Sequence, residues 1–206
     1  FKSVNDCKGH SAGDCLLIDF VERVQQCIRK SDTFARLGGD EFTILLEDQA
    51  RADNAIEVAD RIQDALNAPY TIDEQNFFIT ASIGIVKDID QSYDSAEIVL
   101  QDADIAMYHA KECGKAQYKI FNAPLRTEML SRIKLESEMR LAVGKDFVLH
   151  YQPIFTLKEK KLTGFEALLR WNHPRLGLLY PADFLAVAES TGLIVEIGEW
   201  VLRESC

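Results

Sequence analysis

Two adjacent carboxylates between two short apolar runs are the most chemically suggestive feature of this chain. The runs cover residues 33–37 and 42–46 and flank Gly38, Gly39, Asp40 and Glu41. The glycine pair predicts the tight turn of a β-hairpin, because such a turn needs positive φ. Side-by-side carboxylates repel each other unless a cation or a substrate lies between them. The stretch therefore predicts either a binding turn or a solvated acidic turn.

Composition restricts the classes of function. The chain has 206 residues, enough for one large or two small domains, and 47% of them are hydrophobic, which favours a packed core over disorder. The net charge of −10 argues against binding to nucleic acid polymers or to anionic membranes. An acidic protein that acts on an anionic nucleotide needs local lysines and a divalent cation.

The cysteines and the apolar runs indicate a cytoplasmic segment. Five cysteines lie far apart without a C-x-x-C pair, which argues against zinc and favours reduced thiols: Cys7, Cys15, Cys27, Cys113 and Cys206. No run of about 18 apolar residues occurs, so we expect no membrane contact from this segment. The chain begins at Phe1 without Met, and we interpret it as a piece of a longer protein, with a membrane-anchored sensor as one possible parent.

Alternating helical and extended patterns predict an α/β fold. Helical spacing of apolar residues follows Asp14, which sits where an N-cap would sit, and returns over residues 50–67. Ser95 is expected to cap a further helix with a break near Asp104. Apolar residues alternate over residues 77–86 as in a half-buried strand.

The domain organisation follows from where these patterns change. Residues 1–13 are polar and turn-rich. We predict a first domain over residues 1–122 and a stiff, charged interdomain helix over 123–143, since that stretch contains no glycine. Strand-like residues then open a second domain over 144–206, which ends in one helical pattern.

Three separated motifs resemble the GGDEF family of diguanylate cyclases. They are the turn at residues 38–42 preceded by Ala35 and Arg36, F-K-x-x-N-D with G-H-x-x-G-D in residues 1–14, and A-D-x-A-M-Y-x-A-K-x-x-G-K in residues 103–115. The resemblance implies a mixed sheet flanked by helices. The family has another metal-binding Asp on a strand before Phe1, so we expect the piece as given to lack its first strand, a complete metal site and activity.

The resemblance also assigns guanine recognition. It implies that Asn5 and Asp14 bind the base, with His10 nearby and Lys2 contacting the substrate. An amide offers a donor and an acceptor, and a carboxylate accepts from the guanine N1 and N2 donors. The residues alone favour an Asx-turn for Asn5 and an N-cap for Asp14.

Two lysines and the two glycines complete the implied substrate contacts. In the family the lysines contact the triphosphate; Lys111 and Lys115 are four residues apart, so we expect them on one helix face. The alternative is that they complement the negative end of the helix dipole. Gly38 and Gly39 would let the backbone approach the nucleotide.

Arg29 and Asp32 match the family's R-x-x-D product site, at the family's spacing before the glycine pair. The resemblance implies that they bind cyclic di-GMP and slow the enzyme. An Arg suits a guanine edge or a phosphate through its bidentate fork.

The family's mechanism gives the acidic turn its role. Two GTP molecules meet between two GGDEF domains of a homodimer, and each 3′-hydroxyl attacks the other's α-phosphate to give cyclic di-GMP and pyrophosphate. The resemblance implies that Asp40 binds Mg²⁺ (or Mn²⁺) and helps deprotonate the hydroxyl, while Glu41 is the second acid. Divalent cations neutralise the triphosphate in such sites.

The last third of the chain resembles the start of an EAL phosphodiesterase domain. The matching segments are residues 151–154, 164–171 and 188–194. The resemblance implies the opening of a modified (β/α) barrel, in which Glu166 binds a metal while Gln152 and Arg170 contact cyclic di-GMP. The alternative is an ordinary pairing of a strand-end acid with a nearby arginine.

Two hypotheses for the function remain open. In the first, the parent is an active diguanylate cyclase that also carries a phosphodiesterase domain. In the second, the first domain binds GTP without turnover and tunes the neighbouring phosphodiesterase.

Overall fold

The computed structural model describes residues 2–47, 54–87, 89 and 93–206, with the side chains of Lys2 and Ser3 left undescribed. The chain divides into two compact units, Phe1–Arg126 and Thr127–Cys206. None of the described helices is both long and apolar enough to cross a membrane.

The first unit mixes helices with short strands. Its elements in chain order are α1 (Lys2–Lys8), α2 (His10–Gln25), β1 (Thr33–Gly38), β2 (Glu41–Leu45), α3 (Asn54–Leu66), β3 (Tyr70–Ile72), β4 (Gln75–Phe77), β5 (Ile83–Ile85), α4 (Ala96–Glu112) and β6 (Tyr118–Ile120). The pairs β1–β2 and β3–β4 are antiparallel hairpins, and β5–β6 is parallel. The predicted α/β class is confirmed.

The core of the first unit lies between α2, α3 and β3. Apolar residues at helical spacing supply it, and the most buried are Leu16 and Val24 of α2, Ile62 and Leu66 of α3, and Tyr70 of β3. Burial of such side chains contributes about 1.5–3 kcal/mol each, so this cluster is the main source of stability around the hairpins.

The N-terminal segment differs from its prediction. Residues expected to be turn-rich form α1, and Gly9, with φ of +83°, separates α1 from α2. Gly9 is therefore the N-cap of α2, whereas Asp14 lies inside that helix. Asn5 lies inside α1 rather than in an Asx-turn. Sequence patterns missed this helix because it is short and mostly polar.

Further boundaries also differ. Helix α4 is unbroken at Asp104. The strand expected over residues 77–86 is two separate strands, since β4 ends at Phe77 and β5 begins at Ile83. The predicted start of α3 near residue 50 lies outside the described residues.

Helix α4 lies directly on β5. A Cβ atom at Gly84 would come within 1.9 Å of the Ala103 carbonyl oxygen and 2.6 Å of the Met107 amide nitrogen. Both atoms belong to the backbone of α4, so no side chain fits between strand and helix at this point.

The second unit is a three-stranded antiparallel sheet with helices. The charged helix α5 (Ala123–Ala142) contains the division between the units, and it is followed by β7 (Phe147–Phe155), β8 (Leu162–His173), β9 (Gly177–Leu179), α6 (Pro181–Thr191) and α7 (Leu193–Ser205). The single C-terminal helix of the prediction is wrong: Gly192, with φ of +77°, separates α6 from α7.

Aromatic side chains form the core of the second unit. Trp171, Phe184 and Phe147 are buried together, with Trp171 stacked on Phe147 at 5.4 Å between ring centroids and edge-on to Phe184 at 5.8 Å. Met139 and Ile197 complete the cluster from α5 and α7. The strands of this sheet are therefore backed by a packed core on one side.

A buried histidine connects α5 to the β8–β9 hairpin. His173 Nδ1 accepts the backbone N–H groups of Arg175 and Leu176, so the proton lies on Nε2, which is 2.9 Å from Glu138 Oε2. The Arg175 guanidinium also donates to Glu138. Burial opposes ionisation of Glu138, but the hydrogen bonds from His173 and Arg175 outweigh it and lower the pKa of this carboxyl.

Candidate functional site

The glycine-rich turn forms the predicted hairpin. β1 and β2 pair from Thr33 with Leu45 to Gly38 with Glu41, with an irregularity after Arg36. Gly39 adopts φ of +52°, the conformation that the sequence predicted for a glycine here. Arg36 Nε donates to the Gly39 carbonyl oxygen at 2.9 Å, so an arginine side chain holds the turn.

The two carboxylates at this turn could bind a cation, either alone or together with an anionic ligand of that cation. Asp40 and Glu41 are exposed, and neither carboxylate forms an ion pair or hydrogen bond within the part of the chain that the structure describes. Carboxylate oxygens are hard donors that fit Mg²⁺, which usually takes one or two of them together with substrate phosphates. Among the described residues, no three acidic, histidine or cysteine side chains gather into a metal site.

A groove of about 490 Å³ lies between α2 and the hairpin. Its lining includes Asp14 and Leu17 from α2, and Arg36 and Phe42 from the hairpin. Phe42 is 5.0 Å from Phe20 of α2 between ring centroids, which anchors the hairpin to the helix. The structure thus brings Asp14 to the same groove as Arg36, a residue that the sequence analysis quoted but gave no role.

Asn5 packs against Gly13, the residue that precedes Asp14. A Cβ at Gly13 would lie 1.9 Å from Asn5 Oδ1, so any other residue at position 13 would displace this amide. Asn5 Oδ1 is buried and has no hydrogen-bond partner among the described residues. Asn5 and Asp14 are therefore brought near each other because Gly13 has no side chain, a relation that the sequence analysis did not find.

Asp32 has a structural role. Its carboxylate accepts the backbone N–H of Arg29 at 2.8 Å and that of Glu47 at 3.4 Å. These bonds tie the turn after α2 to the end of β2. Arg29 is exposed beside it, so the structure places the predicted product-binding pair together.

The remaining predicted contacts are more scattered. His10 is exposed at the start of α2, one turn before Asp14, and Gly38 ends β1. Lys111 is exposed in the last turn of α4, but Lys115 lies beyond the helix with φ of +62°. The expectation that both lysines share one helix face is wrong, because the chain leaves the helix at Cys113. Lys2 lies in α1, and its side chain is outside the described part.

In the second unit, strand register places the predicted residues on one face. Gln152 of β7 pairs directly with Glu166 of β8, and Arg170 follows four residues later on β8. Because side chains alternate along a strand, all three lie on the same face of the sheet. Phe147 and Trp171 lie at positions of the opposite parity and supply the buried core.

A buried acid in the first unit was missed. Asp102 of α4 is 1% exposed and binds the Tyr93 hydroxyl at 3.0 Å and the Arg126 guanidinium. Its position three residues before the buried Ile105 was the available signal. Asp102 is buried while the Arg126 side chain is partly exposed, and the pair holds the start of α5 against α4 within the first unit. Loss of either partner would leave a buried carboxylate with less compensation, so this cluster is a structural element.

Comparison with known families decides the identity. Residues 1–117 match the family described as "Diguanylate cyclase, GGDEF domain", which is more than half of the chain. The chain belongs to the GGDEF family. Residues 136–206 match the EAL domain, so the GGDEF domain is followed by EAL sequence in this chain.

Relatives of this GGDEF–EAL chain carry names from cyclic di-GMP metabolism. It is 44% identical over 207 residues to the bifunctional diguanylate cyclase/cyclic di-GMP phosphodiesterase MucR of Pseudomonas aeruginosa, and 36% identical over 207 residues to the cyclic di-GMP phosphodiesterase NbdA of the same species. The alignments cover all of this chain but only 30% of MucR and 26% of NbdA. The chain therefore spans less than a third of the length of either relative.

A solved structure supports the GGDEF fold. The GGDEF domain of TpbB (also called YfiN) from Pseudomonas aeruginosa is similar with a TM-score of 0.59 and 34% identity, over 63% of this chain and 75% of that one.

Proposed function

We propose that the protein turns over cyclic di-GMP, and that its GGDEF unit condenses two GTP molecules into cyclic di-GMP and pyrophosphate. The observation that carries this proposal is the hairpin tip, where Asp40 and Glu41 are exposed and unpaired within the described chain, beside a groove lined by Asp14 and Arg36. The name of the bifunctional relative MucR supports it.

Different residues would contact the base and the triphosphate of GTP. Asp14, and the half-buried amide of Asn5, would recognise the guanine base, since an unpaired buried amide oxygen gains from a ligand donor. Lys111 at the end of α4 would contact the triphosphate together with Lys115 and Lys2. The open backbone at Gly38 and Gly39 would admit the nucleotide to the turn, with His10 near the base.

Asp40 would hold Mg²⁺ or Mn²⁺ and, with Glu41, provide the acids of the reaction. A bound divalent cation neutralises triphosphate charge and stabilises the charge that develops at the α-phosphate. In the condensation, each 3′-oxygen forms a bond to the other nucleotide's α-phosphorus, pyrophosphate leaves, and Asp40 helps to remove the hydroxyl proton. Because each nucleotide attacks the other, the reaction would need a second GGDEF domain, which a homodimer would supply. Because GTP is its substrate, we place the protein in the cytoplasm.

The second unit would act on the product. Gln152, Glu166 and Arg170 share one face of the β7–β8 pair, which suits binding of a metal by Glu166 and of cyclic di-GMP by the other two. Arg29 and Asp32 would form a product site on the GGDEF unit, with Asp32 also serving its backbone bonds. The interdomain helix over residues 123–143 would connect the GGDEF domain (1–122) to the EAL domain (144–206).

A second candidate is a regulatory GGDEF unit that binds GTP without turnover. The alignment with NbdA covers the whole of this chain, and the name of NbdA mentions phosphodiesterase activity only. In that case GTP binding would tune the EAL unit.

The test uses the full-length protein with GTP and Mg²⁺ and removes charge at the hairpin tip with Asp40→Asn and Glu41→Gln together. The matched control is Asp73→Asn with Glu74→Gln, because these residues form the same exposed Asp-Glu pair in the turn of the β3–β4 hairpin. We expect cyclic di-GMP formation to fall at least about 100-fold in the first double variant and to stay within twofold in the control.

Three outcomes separate the candidates. Loss of product only in the hairpin-tip variant supports the cyclase. Absence of product from the unaltered protein, with GTP accelerating hydrolysis of added cyclic di-GMP, supports the regulatory unit. Equal product from all three proteins contradicts a role for Asp40 and Glu41.

A further inference from the structure

We propose that Tyr180 is a positioning residue that holds the Arg170 guanidinium ready for a phosphate of the cyclic dinucleotide. The inference rests on the proposed function of the β7–β8 face. It adds a residue to which the sequence analysis gave no role, since Tyr180 lies within the residues that match the EAL domain but between the motif segments 164–171 and 188–194.

Two contacts orient the guanidinium. Arg170 Cζ lies 4.7 Å from the centroid of the Tyr180 ring, and Arg170 Nη1 donates to the Leu169 carbonyl oxygen at 2.6 Å. A cation this close to an aromatic ring is attracted by the ring quadrupole. The guanidinium is thus held by a contact with the ring and by a backbone hydrogen bond.

The charge of Arg170 has no anionic partner in the described part of the chain. The residue is half-buried, and its Nε is buried without a hydrogen-bond partner there. Charged groups at such positions are normally paired. A phosphate oxygen would supply both the missing counter-charge and the missing acceptor.

Local structure explains why Tyr180 reaches this position. β9 pairs with β8 through Trp171 and Leu179, so Tyr180, the next residue, follows beside Arg170. Its backbone N–H donates to Asp183 Oδ2 at 2.8 Å, which fixes the start of α6. The side chain remains 52% exposed, so the ring does not belong to the core.

A pre-oriented guanidinium binds phosphate better because less side-chain entropy is lost on binding. Without the ring, Arg170 would sample other orientations, and the bidentate geometry that phosphate prefers would be less populated. Tyr180 therefore acts through Arg170 rather than on the substrate.

The experiment measures the affinity of the full-length protein for cyclic di-GMP by equilibrium dialysis in a chelator, so that hydrolysis does not interfere. All proteins compared carry Arg29→Ala, so that the product site proposed on the GGDEF unit does not contribute to the binding. We expect Tyr180→Leu to weaken binding about three- to tenfold, whereas Tyr180→Phe, which keeps the ring, stays within about twofold. Arg170→Ala should weaken binding more. In the Arg170→Ala background, Tyr180→Leu should have no further effect, because the residue that it positions is gone.

Leu176→Ala is the control for damage to the β8–β9 hairpin, since Leu176 is 57% exposed at its turn. If Tyr180→Leu changes the fold, the Tyr180→Trp variant is measured in its place. The indole ring attracts a cation more strongly, so binding should be unchanged or tighter, and weaker binding overturns the inference.

The remaining outcomes are also decisive. An effect of Tyr180→Leu that persists undiminished in the Arg170→Ala background overturns the positioning role, as does a Tyr180→Phe variant that binds as weakly as Tyr180→Leu. No effect of Tyr180→Leu beside a clear effect of Arg170→Ala rejects the inference alone. No effect of Arg170→Ala contradicts the proposed function of this face.

Discussion

Two antiparallel hairpins carry the predicted chemistry, and they present it differently. In β1–β2, the acids lie at the turn, where Asp40 and Glu41 are exposed and Arg36 holds the backbone. In β7–β8, Gln152, Glu166 and Arg170 lie within long paired strands, and the opposite face packs on Trp171 and Phe147.

The comparison shows two ways to place functional groups. The first hairpin depends on the conformation of a few turn residues, so its site can be altered with little effect on the core. The second depends on strand register, because a shift by one residue would send every side chain to the other face. Changes in the core should therefore disturb the second site more than the first.

The largest effect should come from the core behind the second hairpin. Trp171→Ala should lower the free energy of unfolding of this unit by about 3–5 kcal/mol, since a large aromatic side chain with no exposed surface is removed. Native-state hydrogen exchange of the β7–β8 amides measures this. Leu157→Ala, at a side chain 98% exposed, is the control. A cost below about 1 kcal/mol would mean that the sheet does not depend on this core.

A smaller effect is expected at the base of the first hairpin. Asp32→Ala should cost about 1–2 kcal/mol, because the backbone N–H groups of Arg29 and Glu47 lose their acceptor. Exchange rates of those two amides report the change directly. Ser31→Ala, an exposed neighbour, is the control. Unchanged exchange in Asp32→Ala would contradict this structural role of the carboxylate.

The turn itself should respond by a similar amount, but at only one of its two glycines. Gly39→Ala should cost about 1–2 kcal/mol, because a Cβ disfavours φ of +52°. Gly38→Ala should cost less than about 0.5 kcal/mol, since φ at Gly38 is not positive and nothing lies within 4 Å of the added atom. Denaturant unfolding monitored in the first unit distinguishes the pair. Equal costs would show that the turn is not set by Gly39.

The smallest effect should appear as a pH dependence in the second unit. The pKa of Glu138 is lowered from its ordinary value of 4.5, so its contribution to stability is present above that value and is lost as the pH falls through the lower, folded-state pKa. Glu138→Gln should therefore flatten the acid limb of the melting temperature as the pH falls below about 4.5. Glu136→Gln on the same helix serves as the comparison. A limb equally steep in Glu138→Gln would contradict the role of His173 and Arg175.

Sequence patterns predicted the first hairpin and missed another. The pair Gly38 and Gly39 predicts a turn, whereas the β3–β4 turn uses Asp73 and Glu74 at φ of +49° and +62°. Positive φ is uncommon for such residues, so composition gave no signal there. The same limit explains α1, where helix formation comes from packing of Val4 into the core rather than from an apolar stripe.

The candidate site was predictable by residue type but not by arrangement. Motifs identified Asn5, Asp14 and Asp40, but the contact of Asn5 with Gly13 and the groove that joins Asp14 to Arg36 depend on how α1, α2 and the hairpin pack. Likewise, register between β7 and β8 decides that Gln152 faces the same way as Glu166. Those relations are long-range and leave no local trace in sequence.

Gly84 has a mechanical consequence. Because the backbone of β5 rests on the backbone of α4, the helix cannot slide or roll over the strand without first lifting away from it. We therefore expect the β5–β6 pair and α4 to move as one rigid unit, with Lys111 in the last turn of α4. Glycine is usually a source of flexibility in a chain, but at this contact its missing side chain removes the clearance that a hinge would need.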